Sequence, residues 1–241
     1  MTMDQEGGAG AGEAAEAGDA SDLRPFPMRV VQTFFSPAEL VETLTRHPAW
    51  IAAVILGAVL VIGQTLLIPA EVWDAVFREM LLRQGREMPE GFVAGGALMR
   101  VSTLTFGTLG YFLITFLFAG IVTLIFAFLM GDEGRYRQYL AVTGHAWLIP
   151  ALIGFVLLPL KISQGNPQLT LNLGSFLFFL PEGYLLRVAT MLDLSQAWAW
   201  LVVAQGAHAI DRRRSFESAA AILLVVFVIM AMLFALIPGI A

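Results

Sequence analysis

Five side chains in this sequence can do chemistry in an apolar setting: His145, His208, Gln64, Gln205 and Asp193. Each lies in or at the edge of a long apolar run, where a polar group is costly and calls for a functional reading. Two histidines that meet would hydrogen-bond and titrate near neutral pH. As a metal centre the pair falls short, because two imidazoles without an organised third ligand do not define a site. The other reading of each histidine is structural: it satisfies a neighbouring helix or reaches the headgroups, and interhelical polar contacts of that kind are common and modest in energy. Gln64 reads first as glue between helices. With His145 and Gln205 it also offers the lining of a polar path. Asp193 stands just ahead of an apolar run, where a carboxylate caps the free N–H groups and suits the helix dipole.

Catalytic constellations are absent. The sequence holds no His-Glu-x-x-His, no Gly-x-Ser-x-Gly and no Gly-x-x-x-x-Gly-Lys-Ser/Thr. No pair of aspartates falls inside the apolar runs, and there is no cysteine, so neither thiol chemistry nor a disulfide framework is open to the chain. The expectation is a protein that is not an enzyme and that needs no cofactor or metal.

The elements that position these side chains are membrane helices. The chain has 241 residues, 58% hydrophobic and only 14% charged, against about 25% charged in soluble domains. The deficit is concentrated in blocks. Two of them, Leu104–Met130 and Tyr139–Leu160, flank the short link Gly131-Asp132-Glu133-Gly134-Arg135-Tyr136-Arg137-Gln138. Each is long enough to cross a hydrocarbon core, which takes about 20 residues, and a link this short joins antiparallel neighbours. The expected fold is all-α and polytopic, with five transmembrane helices at about 50–69, 104–130, 139–160, 194–210 and 216–237. Pro150 should kink the third of these.

The remaining segments follow from composition. Residues 1–23 form an acidic tail, with Asp4, Glu6, Glu13, Glu16, Asp19 and Asp22 preceding the first basic residue, Arg24. With little to bury, it is expected to be disordered. It lacks the basic start and early apolar core of a signal peptide. Residues 24–49 read as an amphipathic cytoplasmic lead-in. Ser36-Pro37-Ala38-Glu39 has the form of a capping box, and Leu40, Val41 and Leu44 give one apolar stripe. That stripe suits a helix lying on the membrane surface or one packing on the rest of the protein. A second amphipathic surface helix is expected within 70–83, followed by a glycine- and proline-rich break. Leu173–Leu192 is interrupted by Pro181-Glu182-Gly183 and reads as interfacial or re-entrant; were it to cross, the count would be six spans.

Orientation is read from arginine. Five spans place Arg135 and Arg137 of the first link and Arg212, Arg213 and Arg214 of the last link on one side, with Arg24, Arg29 and Arg46. The positive-inside rule makes that side cytoplasmic and leaves the C-terminus outside. Arg78, Arg83, Arg86 and Arg100 argue the other way. Lys161 is the sole lysine among these basic residues, a usage that with the abundant alanine and glycine points to a GC-rich bacterial genome. The expected location is therefore the bacterial inner membrane. The lipid bilayer is the expected partner, with other membrane proteins or a second copy beside it. No basic patch has the form of a nucleic-acid footprint.

Three blocks carry a family resemblance: "FFSPAELVETLTRHPAW" ahead of the first span, "GDEGRYRQYLAVTGHAWLIP" joining the second to the third, and "LDLSQAWAWLVVAQGAHAI" as the fourth. Together they resemble the Ypt-interacting-protein (Yip) family of five-span membrane proteins, in its bacterial branch, over roughly 26–237. The resemblance implies the five-span fold and, for the bacterial branch, no agreed activity. The amphipathic stretch Arg24–Arg46 and the absence of catalytic motifs point to a non-enzymatic scaffold or adaptor that recruits proteins or organises membrane. The alternative is a small transporter or channel with a path lined by His145, Gln64 and Gln205. Eukaryotic members are linked to Rab-type GTPases. Their extended N-terminal region, with its Asp-Leu-Tyr-Gly-Pro-like motif, is not seen in this chain, so GTPase binding does not carry over.

Overall fold

The computed structural model describes residues 23–83, 85–86, 96–177 and 179–237. The expectations for the acidic tail, apart from Leu23, and for most of the glycine-rich break lie outside these residues. The described chain is all-α and holds no strand. Its helices are α1 (Phe26–Phe35), α2 (Pro37–Arg46), α3 (Ile51–Leu67), α4 (Ala70–Arg83), α5 (Ala97–Thr123), α6 (Tyr136–Ala146), α7 (Leu148–Val156), α8 (Leu158–Ser163), α9 (Tyr184–Met191), α10 (Leu194–Ile210) and α11 (Phe216–Phe234). Helix α5 continues as a π-helical turn, Leu124–Leu129.

Among the described residues three stretches are long and apolar enough to cross a membrane: Val101–Leu129, Tyr136–Val156 and Phe216–Phe234. A fourth is formed if Ile51–Leu67 and Ala70–Leu82 count together, but these two meet at 86°. The bend falls at Ile68-Pro69, where proline removes a backbone donor. Helix α10 has 17 residues, about 25 Å at 1.5 Å per residue, and packs beside the others. This is an all-α polytopic membrane protein. Its outward face is apolar: Phe106, Leu109, Leu113, Leu117, Leu124 and Phe128 follow one another along α5 and its π turn, all exposed.

The core is where α5, α6, α7, α10 and α11 meet. Phe118 on α5 lies edge-on to Trp200 on α10, with ring centroids 4.5 Å apart, and to Trp147 between α6 and α7, at 5.0 Å. Trp200 in turn meets Phe227 on α11 at 5.5 Å. In lipid, helix association rests on such packing rather than on removal of water. Small residues make it possible. Gly206 of α10 faces the side chain of Val142 on α6 so closely that an added Cβ would overlap it.

Proline acts on the third long run one turn ahead of itself. A single turn residue, Trp147, divides α6 from α7 within the run Tyr136–Val156, and Pro150 sits in the first turn of α7. A second break at Leu157 precedes Pro159 of α8. Leu173–Leu192 is not one helix. It comprises a 3-10 turn at Leu173–Phe176 and the eight-residue α9. The segment is held at both ends: Leu194 N–H donates to Leu171 O at 2.8 Å, and Leu173 N–H to Leu192 O at 3.0 Å. Arg187 and Tyr184 of α9 donate to Ala235 O and Met232 O at the end of α11.

The lead-in takes the second of the two readings open to α2, packing on the rest of the protein, and departs from the sequence reading at the capping box. The apolar stripe Leu40, Val41 and Leu44 is fully buried, because α2 packs along α10 and against α6. The exposed apolar stripe belongs to α1 instead: Met28, Val31 and Phe35, with Phe35 82% exposed. Pro37 does open α2, but the capping box does not form, and Ser36 makes no side-chain cap. The Ser36 N–H is already donated to Gln32 O, the end of α1, at 2.9 Å. The Glu39 carboxylate accepts from Gln32 Nε2 at 3.4 Å and pairs with Arg24 at 3.5 Å.

The close approach of α6 and α10 yields a stability prediction. Gly206→Val should lower the unfolding free energy by about 1–3 kcal/mol through overpacking. Gly107→Ala on α5, where an added Cβ meets nothing within 4 Å, should not. Thermal unfolding of the two variants in one detergent distinguishes them.

Candidate functional site

The polar side chains gather at one end of the bundle, the rim formed by the links Gly131–Arg135 and Asp211–Ser215. The π turn that ends α5 buries Phe126 and leaves Phe128 and Leu129 outside. Gly131 follows with φ +74°, a left-handed conformation that favours glycine. This turn delivers Asp132, whose N–H donates to Phe126 O at 2.9 Å, into a buried position.

There Asp132 accepts two hydrogen bonds from Arg214, from Nε and Nη2, each 2.6 Å. Both side chains are withdrawn from solvent, 11% exposed for Arg214 and 5% for Asp132. The guanidinium lies 5.4 Å from the ring centre of Phe126, which stacks with Tyr139 of α6 at 6.3 Å. The carboxylate raises the pKa of Arg214, so the charge is secure. A buried, bidentate arginine–carboxylate pair costs desolvation to form, and breaking it by removing one partner costs more.

Around this pair the rim closes. Asp211 is buried and accepts from Arg213 Nε, Nη2 and N–H at 2.7–3.2 Å. It also accepts from Glu133 N–H at 3.2 Å, which ties the two links together a second time. The Arg213 side chain first, and then its N–H, hold the Asp211 carboxyl well below the usual carboxylate range, with Glu133 N–H adding to this. Arg212 donates to Glu42 of α2 at 2.5 Å and lies 3.3 Å from His208 Nε2. Gln138 of α6 donates to Thr45 O of α2 at 2.7 Å, and its Oε1 accepts from Arg135 N–H at 2.8 Å. Arg135 and Arg137 face outward.

The two histidines serve different neighbours. His208, in the last turn of α10, donates from Nδ1 to Arg214 O at 2.6 Å and so belongs to the rim. His145 is fully buried in α6, and its Nδ1–H donates to Ala141 O at 2.8 Å. That leaves Nε2 to accept from Arg29 of α1 at 3.4 Å. Phe26 lies edge-on to the imidazole, with centroids 6.4 Å apart. The pairing of His145 with His208 that the sequence left open is not made, and each histidine meets a separate arginine. Arg29 is buried too, and Nη1 also donates to Ala49 O at 3.2 Å, at the entry to α3.

Gln64 bridges helices. Its Nε2 donates to Ala151 O of α7 at 3.1 Å, and its Oε1 accepts from Lys161 Nζ of α8 at 3.2 Å. Asp193 caps α10, accepting from the N–H groups of Ser195 and Gln196 and from the Ser195 hydroxyl. Gln205 stands apart from these, on the wall of a groove between α2 and α10. Among the described residues no group of three or more histidine, cysteine or acidic side chains is placed to hold a metal ion.

Sequence reasoning put both links at one end but missed their direct pairing. The signal was there: an Asp-Glu pair in one link and three arginines in the other, close to the helix ends. The burial of Arg29 had no comparable signal, since it depends on how α1 folds back.

Two predictions follow from this geometry. Arg214→Ala should cost about 3–5 kcal/mol, because it leaves Asp132 buried and uncompensated. Arg213→Ala, at a side chain 67% exposed, should cost far less. The lowered Asp211 carboxyl stabilises the fold at neutral pH. Its contribution should persist down to the ordinary carboxylate value near ~4 and be lost as the pH falls further. An unfolding series from pH 7 to 3, wild type against Asp211→Asn, reads this directly. Separately, the effects of His145→Ala and His208→Ala should add within about 0.5 kcal/mol, as they do for sites sharing no partner.

Comparison with known proteins adds one finding. No curated protein and no solved structure matches the chain. The family model of the Yip1 domain matches residues 31–237. The match runs from the second half of α1 through α11, takes in the whole rim, and agrees with the resemblance carried by the three sequence blocks. The chain is a member of the Yip1 domain family.

Proposed function

We propose that this Yip1 domain protein is a non-enzymatic, five-span membrane scaffold with its rim in the cytoplasm. The observation that carries this reading is the closed rim. Two interhelical links and the end of α2 are joined by the Asp132–Arg214 pair, the Asp211–Glu133 contact, the Arg212–Glu42 pair and Gln138. The result is a rigid polar platform. It presents Arg135, Arg137, Arg212 and Arg213 outward, a surface suited to an acidic protein segment or an anionic leaflet.

The five-span count draws support from the same contact. Asp132 and Arg214 stand at one end of the bundle, so an even number of crossings separates them. The segment α6–α7 and helix α10 supply two. A crossing by Leu173–Leu192 would make three. Beneath the platform, two of the three polar groups that a transport path would use are engaged: Gln64 with Ala151 O and Lys161, and His145 with Arg29 and Ala141 O. This favours packing over permeation. The arginine bias of the links supports a cytoplasmic rim and an N-terminus on that side, in a bacterial inner membrane.

Single cysteines at Arg137, Gln168, Glu182 and Glu217, in a chain with none of its own, test the arrangement. An impermeant thiol reagent outside intact cells should label Gln168→Cys and Glu182→Cys and spare the other two. Labelling that separates Arg137→Cys from Glu217→Cys would rule out five spans. Proteoliposomes of the purified protein should show no solute flux above empty vesicles. Flux abolished by His145→Ala with Gln64→Ala would replace the scaffold with a transporter.

A further inference from the structure

The corner between α1 and α2 overhangs a groove of about 650 Å³, lined by Phe35 to Glu39 above and by α10 and Phe216 below. Its position follows from contacts at both ends of α1. Phe26 meets His145, nine residues from the start of α6, and Phe34 meets Trp198, twelve residues from the end of α10. At ~1.5 Å per residue these points lie roughly 13 and 18 Å below the rim. Helix α1 therefore lies crosswise at that level, with Met28, Val31 and Phe35 exposed, while α2 stands between it and the rim.

The groove runs down α10 from Gln205 to Leu194, eleven residues or roughly 16 Å. One leaflet of hydrocarbon is about 15 Å thick. The deep part is apolar, formed by Leu194, Ala197, Trp198 and Leu201, with Trp198 44% exposed. The polar part, Glu39 with Gln205, is at the rimward end. The carboxylate of Glu39 is 63% exposed and lies 3.5 Å from Arg24, itself 53% exposed. A carboxylate thus stands on the wall at the mouth of an acyl-chain-length apolar slot, with Arg24 beside it and Gln32 also donating to it.

We propose that this groove binds a zwitterionic phospholipid with a primary amine headgroup. One acyl chain occupies the slot, the ammonium donates to Glu39, and the phosphate meets Arg24. A choline headgroup has no N–H to donate to the carboxylate, and a purely anionic headgroup leaves Glu39 unmatched. The proposal needs only the membrane setting, not the scaffold role.

Trp198 reports on the slot. The protein is reconstituted in phosphatidylcholine vesicles doped with bromine-labelled chains carried on either phosphatidylethanolamine or phosphatidylcholine. The readout is the quenched emission present in the wild type and missing from W198F. Brominated phosphatidylethanolamine should quench that component about threefold more effectively than brominated phosphatidylcholine, as one exposed ion pair allows. E39Q, at an exposed position, should abolish the preference while leaving the Trp198 signal quenchable. Equal quenching by the two lipids in the wild type overturns the proposal. So does a preference that survives E39Q. Absence of quenching, with efficient disulfide cross-linking of two copies through Ala197→Cys, would assign the groove to a second copy of the chain and also overturn it.

Discussion

The buried ion pair of Asp132 with Arg214 is the constraint on which the rest of the structure depends. It joins two links 82 residues apart in sequence through two 2.6 Å hydrogen bonds, largely out of solvent. Such a pair is a poor source of net stability, since desolvation offsets most of the attraction. Its value lies in what it forbids. A slip in the pairing of α5–α6 with α10–α11 leaves a buried charge without a partner. The π turn, the left-handed Gly131 and the stacking of Phe126 on Tyr139 are the local devices that bring Asp132 to its partner. Asp211 then repeats the tie with ordinary, more exposed partners.

A second arginine sets the other boundary of the rim layer. Arg29 is held by the Ala49 carbonyl and the His145 imidazole, and it fastens α1 to the point where α3 begins. This explains why the lead-in divides its labour. Helix α2 spends its apolar stripe on α10, and α1 keeps an exposed one. Of two amphipathic ten-residue helices one thus buries its stripe and the other exposes it, and the corner between them leaves the groove on α10 uncovered.

Much of this was legible in the sequence. The apolar runs gave an all-α membrane protein, Asp193 before the fourth run gave a helix cap, and Gln64 gave an interhelical bridge. These are local signals, each set by a residue and its near neighbours. What was not legible depends on long-range placement. The capping box at Ser36 failed because the Ser36 N–H was already committed to α1. His145 and His208 share one half of the bundle but face different neighbours, and no spacing in the chain reveals which way each side chain turns. The site at the rim combines both kinds. Its charges were visible, and their pairing required the fold.

The most direct test of the central claim exchanges the two charges of the pair. Asp132→Arg and Arg214→Asp are made singly and together, and unfolding is measured in one detergent at neutral pH. If the pair fixes the register of the links, each single exchange unfolds or severely destabilises the protein, and the double exchange recovers much of the loss. A double variant no more stable than the sum of the two singles would show that the links are held by something else.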